Sequence, residues 1–175
     1  MELPVDPQLP LLVWVDNDIS AIIPKVVEAS QQGLTVFQFT STAATKAWVR
    51  INEGEWFVQN ENLVDRHLCL EFLKKNEDSG RIRFVINQVL YERDDYYILS
   101  TNDKAGYQVT SFIRLRDIRV PILVYTSKSN LHLTKYVEDF EMIGSLCGND
   151  LIFQAYVAAL ASGRKDDTRW MRYNA

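Results

Sequence analysis

The chain is poor in the residue types that most often hold metals: its 175 residues include 2 cysteines and 2 histidines. Cys69 and Cys147 lie far apart in sequence, which suggests buried free thiols in a reducing compartment more than a disulfide framework. His67 and Cys69 form a lone HxC with no second ligand pair, so no zinc site is expected there. Basic charge is scarce too. Lys and Arg number 19 against 23 Asp and Glu, a net charge of −4, which argues against a protein that coats nucleic acid. No stretch approaches the roughly 20 apolar residues of a membrane-spanning helix. The start, MELPVDPQLP, carries no basic residue and does not read as a secretory signal. With only 7 glycines there is no GxGxxG, no P-loop and no GxSxG elbow. These absences favour a cytoplasmic protein without nucleic-acid or membrane contacts.

What is present is core material: 47% hydrophobic residues, enough for one domain. We read an N-terminal extension over residues 1–10, a domain over 11–162 and a polar tail over 163–175. In the tail Arg164, Lys165, Arg169 and Arg172 are diluted by Asp166 and Asp167, so it reads as a solvated, frayed end. Five apolar runs predict buried strands: Leu11–Val15, Leu34–Phe39, Ile82–Ile86, Val120–Tyr125 and a weaker Glu141–Leu146. None alternates with polar residues, as half-exposed antiparallel strands do. Stripes at helical spacing lie between them. Ile22, Ile23, Val26, Val27 and Ala29 mark the first helix, with Pro24 expected in its first turn and Gly33 as its stop. Ser41 or Thr42 can cap a second, through Ala44, Trp48, Val49 and Ile51. Leu63, Leu68, Leu70, Phe72 and Leu73 suggest an extra helix before the third strand, and Val109, Phe112, Ile113 and Leu115 another. Leu131, Tyr136, Val137 and Phe140 suggest a short one, and Leu151–Ala161 a last one capped by Asn149 or Asp150. Stretches 53–62 and 92–104 read as loop decorations. Strands alternating with helices predict an α/β, flavodoxin-like three-layer sandwich, with a five-stranded parallel sheet of order 2-1-3-4-5 and helices on both faces.

In such a sheet ligands meet the carboxyl ends of the strands. Those ends carry Asp16, Asn17 and Asp18; Asn87 and Gln88; Thr126 and Ser127; and Ser145, Cys147 and Asn149. The ordered set WVDND, STAATKAW, RFVINQ, VPILVYTS and IGSLCGND resembles the response-regulator receiver domain over residues 10 to 162. The resemblance puts Asp16 on the first acid of the family's acidic pair, with Asn17 in place of the second, the phosphate-accepting position at Asn87 or Gln88, and a phosphate-binding hydroxyl at Thr126. The family's lysine after the fifth strand has no counterpart near Ser145–Asn149. An amide, uncharged and with its nitrogen lone pair delocalised, cannot attack phosphorus as a carboxylate does. Replacing carboxylates by amides also weakens Mg²⁺. The resemblance is therefore to a pseudo-receiver that needs no cofactor, with Mg²⁺ on Asp16 a weak second option.

Each of these residues has a structural reading as well. Asp18 suits a helix start. Asp16 could hydrogen-bond Thr126 or backbone amides, or pair with Asn87 in a neutral remnant of the pocket. Trp14 and Tyr125, near the carboxyl ends of their strands, read as packing. Tyr91, Tyr96 and Tyr97 in the acidic loop read as a partner patch or a lid. Leu131, Tyr136, Phe153 and Tyr156 on the last two helices could form a homodimer surface. The leading expectation is a phosphorylation-independent receiver-like signalling module that binds another protein. A sensor of small molecules or anions such as nucleotides, using the strand-end pocket, is the first alternative. A TIR-like hydrolase, with Glu71 or Glu92 conscripted as the acid, is the second.

Overall fold

The computed structural model describes residues 9–49, 56–59, 62–65, 72–94, 96–163 and 169–171. Five strands form one all-parallel sheet: β1 (Leu11–Val15), β2 (Thr35–Phe39), β5 (Ile82–Asn87), β8 (Ile122–Tyr125) and β9 (Ile143–Leu146). Their order is β2-β1-β5-β8-β9, the expected 2-1-3-4-5 when sheet strands are counted along the chain. The apolar runs explain this. Central strands of a parallel sheet are covered on both faces, and β1 is buried at all of its positions.

Residues alternate between two cores. Leu11, Val13, Val15, Phe84 and Ile86 point to one face, where Trp48 packs against Phe37, Phe39 and Phe84. That layer holds α2 (Thr42–Val49), α3 (Ala105–Leu115) and a 3₁₀ run (Lys128–Asp139). Leu12, Trp14 and Val85 point to the other face, under α1 (Ile19–Gln31) and α4 (Asp150–Ser162). Burying a large apolar side chain fully contributes about 1.5–3 kcal/mol, so these two clusters fix the register of the five strands of the parallel sheet.

The helix starts follow ordinary capping chemistry. The Asp18 carboxylate accepts from the Ala21 amide at 3.2 Å, Ser41 Oγ from Ala44 at 3.0 Å, and Asn149 Oδ1 from Ile152 at 3.2 Å. Gly33, at φ 89°, ends α1 in a conformation that favours glycine.

Several expectations need correction. Pro24 lies in the second turn of α1, not the first, because Asp18 starts the helix earlier than the apolar stripe suggested. The expected short helix before β9 is the 3₁₀ run. Leu63 belongs to a strand: β3 (Trp56–Gln59) and β4 (Asn62–Asp65) form an antiparallel hairpin. Of the extra helix only a helical segment at 72–76 is described; Leu68 and Leu70, with His67, Cys69 and Glu71, lie outside the described residues. The stretch read as a polar loop is a second hairpin, β6 (Leu90–Arg93) with β7 (Leu99–Asn102). Glu92 pins it, accepting from the Thr42 amide at 2.8 Å, Thr42 Oγ1 at 2.6 Å and Asn102 Nδ2 at 2.8 Å. The tail is not simply solvated. Trp170 is buried beneath α4, edge-on to Tyr156 with ring centroids 4.9 Å apart. Residues 1–8, 164–168 and 172–175 lie outside the described residues. No described helix is long and apolar enough to cross a membrane.

Candidate functional site

Asp16 follows β1 and Asn87 ends β5, one step beyond the paired Val15 and Ile86. This is the point where strand order reverses, so the parallel register itself brings the two side chains together. Asp16 is 3% exposed, on the same face as Trp14 two residues earlier. Its Oδ1 accepts from the Asp18 amide at 2.9 Å. Its Oδ2 accepts from Asn87 Nδ2 at 3.3 Å and from the Tyr125 hydroxyl. Tyr125 in turn accepts from the Trp14 indole Nε1 at 3.0 Å. Burial first, and then the negative charge of Asp16, push the Tyr125 pKa far above its ordinary value, so the phenol holds its proton and donates it.

The Asp16–Asn87 pairing thus agrees with one structural reading of these residues. Of the two partners expected for Asp16, Thr126 or backbone amides, it is an amide, that of Asp18, that binds; Tyr125 takes the other carboxylate oxygen, and Thr126 lines the cavity. Asn17 turns away, donating from Nδ2 to the Tyr91 carbonyl at 2.9 Å. Asp18 caps α1 and also lines the cavity.

Other candidates leave the site. Gln88 points to the opposite side of the sheet and is buried. It donates to the Asp103 carbonyl at 2.8 Å and accepts from Tyr136 at 2.6 Å, tying β5 to the start of α3. Glycine at 106 leaves room for this network: an added Cβ would lie 2.3 Å from Gln88 Oε1, 2.8 Å from the Tyr136 hydroxyl and 3.0 Å from the Gln88 Cα. Ser127 is exposed, bonded to Ser129 and Asn130 at the start of the 3₁₀ run. The homodimer surface fails in part. Leu131 and Phe153 are each 8% exposed, and Tyr156 is fully buried, its hydroxyl donating to the Phe84 and Pro121 carbonyls. Tyr136 is half-buried on Tyr107. The tyrosine patch, by contrast, is open: Tyr91, Tyr96 and Tyr97 are exposed, joined by Ile98 and Leu99 around the β6–β7 turn. Cys147 is half-buried.

The cavity at the strand ends holds about 330 Å³. Trp14, Ile22, Tyr125, Leu146 and Phe153 supply its apolar walls; Asp16, Asp18, Asp150 and Lys25 line it with charge. Sequence reasoning missed Lys25, Phe153 and the Asp150 side chain as pocket residues, and read Trp14 and Tyr125 as packing alone. The even spacing of Trp14 and Asp16 was the available signal. The Mg²⁺ that a receiver resemblance would bring does not fit. Asp16 is engaged by three donors, Asn17 faces Tyr91, and among the described residues no three His, Cys, Asp or Glu side chains form a metal cluster. A second cleft, of about 560 Å³, lies between the start of α2 and the β6–β7 hairpin and is lined by Lys46, Glu92, Arg93 and Asp94.

The architecture is therefore that of a flavodoxin-like α/β protein with a closed polar knot at its switch point. No protein family's sequence profile matches the chain, and no curated protein is recognisably related to it.

Proposed function

We propose that the chain is a receiver-like signalling module that works by contact with a protein partner and without aspartyl phosphorylation. The observation that carries this reading is the state of Asp16. Its carboxylate is engaged by Tyr125, Asn87 and the Asp18 amide, and the side chain beside it, where the receiver resemblance would put a phosphate acceptor, is the amide of Asn87. Phosphoryl transfer needs a charged nucleophilic oxygen and a cation to balance the transferring group. Neither Asn87 nor the hydrogen-bonded Asp16 offers that. Support for a contact role comes from the β6–β7 turn, where Tyr96 and Tyr97 are 83% and 80% exposed. Exposed tyrosines supply rigid, amphipathic area suited to recognition.

The test is nuclear magnetic resonance with acetyl phosphate, and with berylliofluoride and Mg²⁺. The expected outcome is an unchanged spectrum. A saturable, Mg²⁺-dependent shift centred on Asp16 and Thr126, or a covalent aspartyl adduct in mass spectra, overturns the reading.

A second reading, a small-molecule sensor, draws on the strand-end cavity of about 330 Å³. A hydrolase has less support. Glu92, the described candidate acid, is committed to Thr42 and Asn102.

A further inference from the structure

We propose that the strand-end cavity binds a small organic cation, an ammonium carried on an apolar body, with Lys25 as a built-in competitor for the same seat. Three features of the cavity combine. Its walls are apolar and aromatic, with Trp14 and Phe153 at 5.4 Å between ring centroids and Tyr125 edge-on to Trp14 at 6.4 Å. Its charge is acidic: Asp16, Asp18 and Asp150 face it against the single ammonium of Lys25. Asp16 receives only neutral donors, from Tyr125, Asn87 and the Asp18 amide. A phosphate or nucleotide would meet three carboxylates and be repelled.

A metal ion is disfavoured for a different reason. Metal coordination needs carboxylates converging on one point, and no such cluster exists among the described residues. A diffuse organic cation needs only a negative field and an aromatic face.

The decisive feature is Lys25. Its Nζ lies 4.8 Å from the centre of the Phe153 ring and 3.4 Å from Asp150 Oδ1. A primary ammonium on a tether thus already occupies the seat, satisfying the ring and the carboxylate together. Its side chain is 46% exposed and the pair is a solvent-screened one, so an incoming cation can displace it at low cost. The displaced lysine swings into solvent, and the ligand's apolar body fills the space beside Trp14, Ile22 and Leu146.

The inference rests on the cavity and not on the contact reading, and the two fail separately: phosphate-analogue insensitivity tests one, amine binding the other. The experiment follows the Trp14 indole N–H by nitrogen–proton correlation spectra, assigned through Trp14→Phe. Choline and phenethylamine are titrated beside inorganic phosphate and the neutral alcohol in which carbon replaces the nitrogen of choline. A saturable shift with choline or phenethylamine is expected, with the neutral alcohol weaker by on the order of ten-fold, as loss of a cation–π contact implies. Lys25→Met removes the competitor and tightens choline several-fold, while Phe153→Leu weakens it. Lys25 is exposed, so Lys25→Met keeps the test alive should Phe153→Leu not fold. Absence of a saturable shift at millimolar amine, equal binding of the neutral alcohol, tighter binding of phosphate, or weaker choline binding by Lys25→Met each overturns the proposal.

Discussion

Two buried charges sit on the same face of the sheet, and they are held in opposite ways. Arg83, near the amino end of β5, is 2% exposed and enclosed by protein. Its Nη1 donates to the Tyr156 carbonyl at 3.0 Å, and its guanidinium lies 4.6 Å from the Tyr156 ring and 5.3 Å from that of Trp170. Asp16, at the carboxyl edge, is as buried but forms one wall of a cavity. A buried cation wrapped in rings and carbonyls belongs to the fold, since removing it exposes unsatisfied groups and a void. A buried carboxylate facing open space is where a ligand can act. Each charge has its own tyrosine, and the effects have opposite sign. Burial raises the pKa of both phenols first, but Asp16 raises Tyr125 further whereas Arg83 lowers Tyr156.

The largest expected effect tests both regions at once. Tyr125, Tyr136 and Tyr156 all have pKa values raised above the ordinary 10.0, chiefly by burial. The folded state therefore keeps these protons while the unfolded chain releases them. Their contribution is intact below about pH 10 and is lost as pH rises beyond it, at about 1.4 kcal/mol per proton per pH unit. Urea midpoints measured against pH should fall steeply above that point; a flat profile would show the phenols to be less enclosed than the structure has them.

Next in size, Arg83→Ala should cost about 3 kcal/mol in urea unfolding while leaving the Trp14 indole resonance in place. Asp16→Asn should cost less, about 1–2 kcal/mol, because one carbonyl oxygen still accepts while its new amide faces a donor. A reversed order would break the contrast. Ultraviolet titration of the phenols sharpens it: Asp16→Asn should lower the Tyr125 midpoint, and Arg83→Ala should raise that of Tyr156. The smallest effect lies outside both regions. Tyr97, exposed at φ 61°, sits in the left-handed region, so Tyr97→Gly should stabilise the β6–β7 turn by about 1 kcal/mol, read from hydrogen exchange of its amides.

Much of the scaffold was legible. Leu11–Val15 was bounded correctly because a strand buried on both faces reads as an unbroken apolar run. The remaining sheet strands were found with ends off by one or two residues. The β6–β7 hairpin was not legible. Its inward position at Glu92 is charged, and only the distant Thr42 and Asn102 make burial there tolerable. Trp170 was hidden for a related reason: one aromatic in a charged tail says nothing of the Tyr156 ring and the Arg83 guanidinium that receive it. At the site, Asp16 and Asn87 were found from their place at strand ends, while Gln88 was misassigned, since a one-residue shift moves a side chain to the other face.

By itself the chain's order of apolar runs and capping residues determined a parallel α/β sandwich with an acid at its switch point, because burial on both faces leaves a local pattern in sequence. Only the tertiary structure decided that Tyr125 and Asn87 would bind that acid and that Lys25 would stand over Phe153. Those contacts join strands and helices distant along the chain, and the direction of a side chain across a sheet is set by packing, not by its neighbours in sequence.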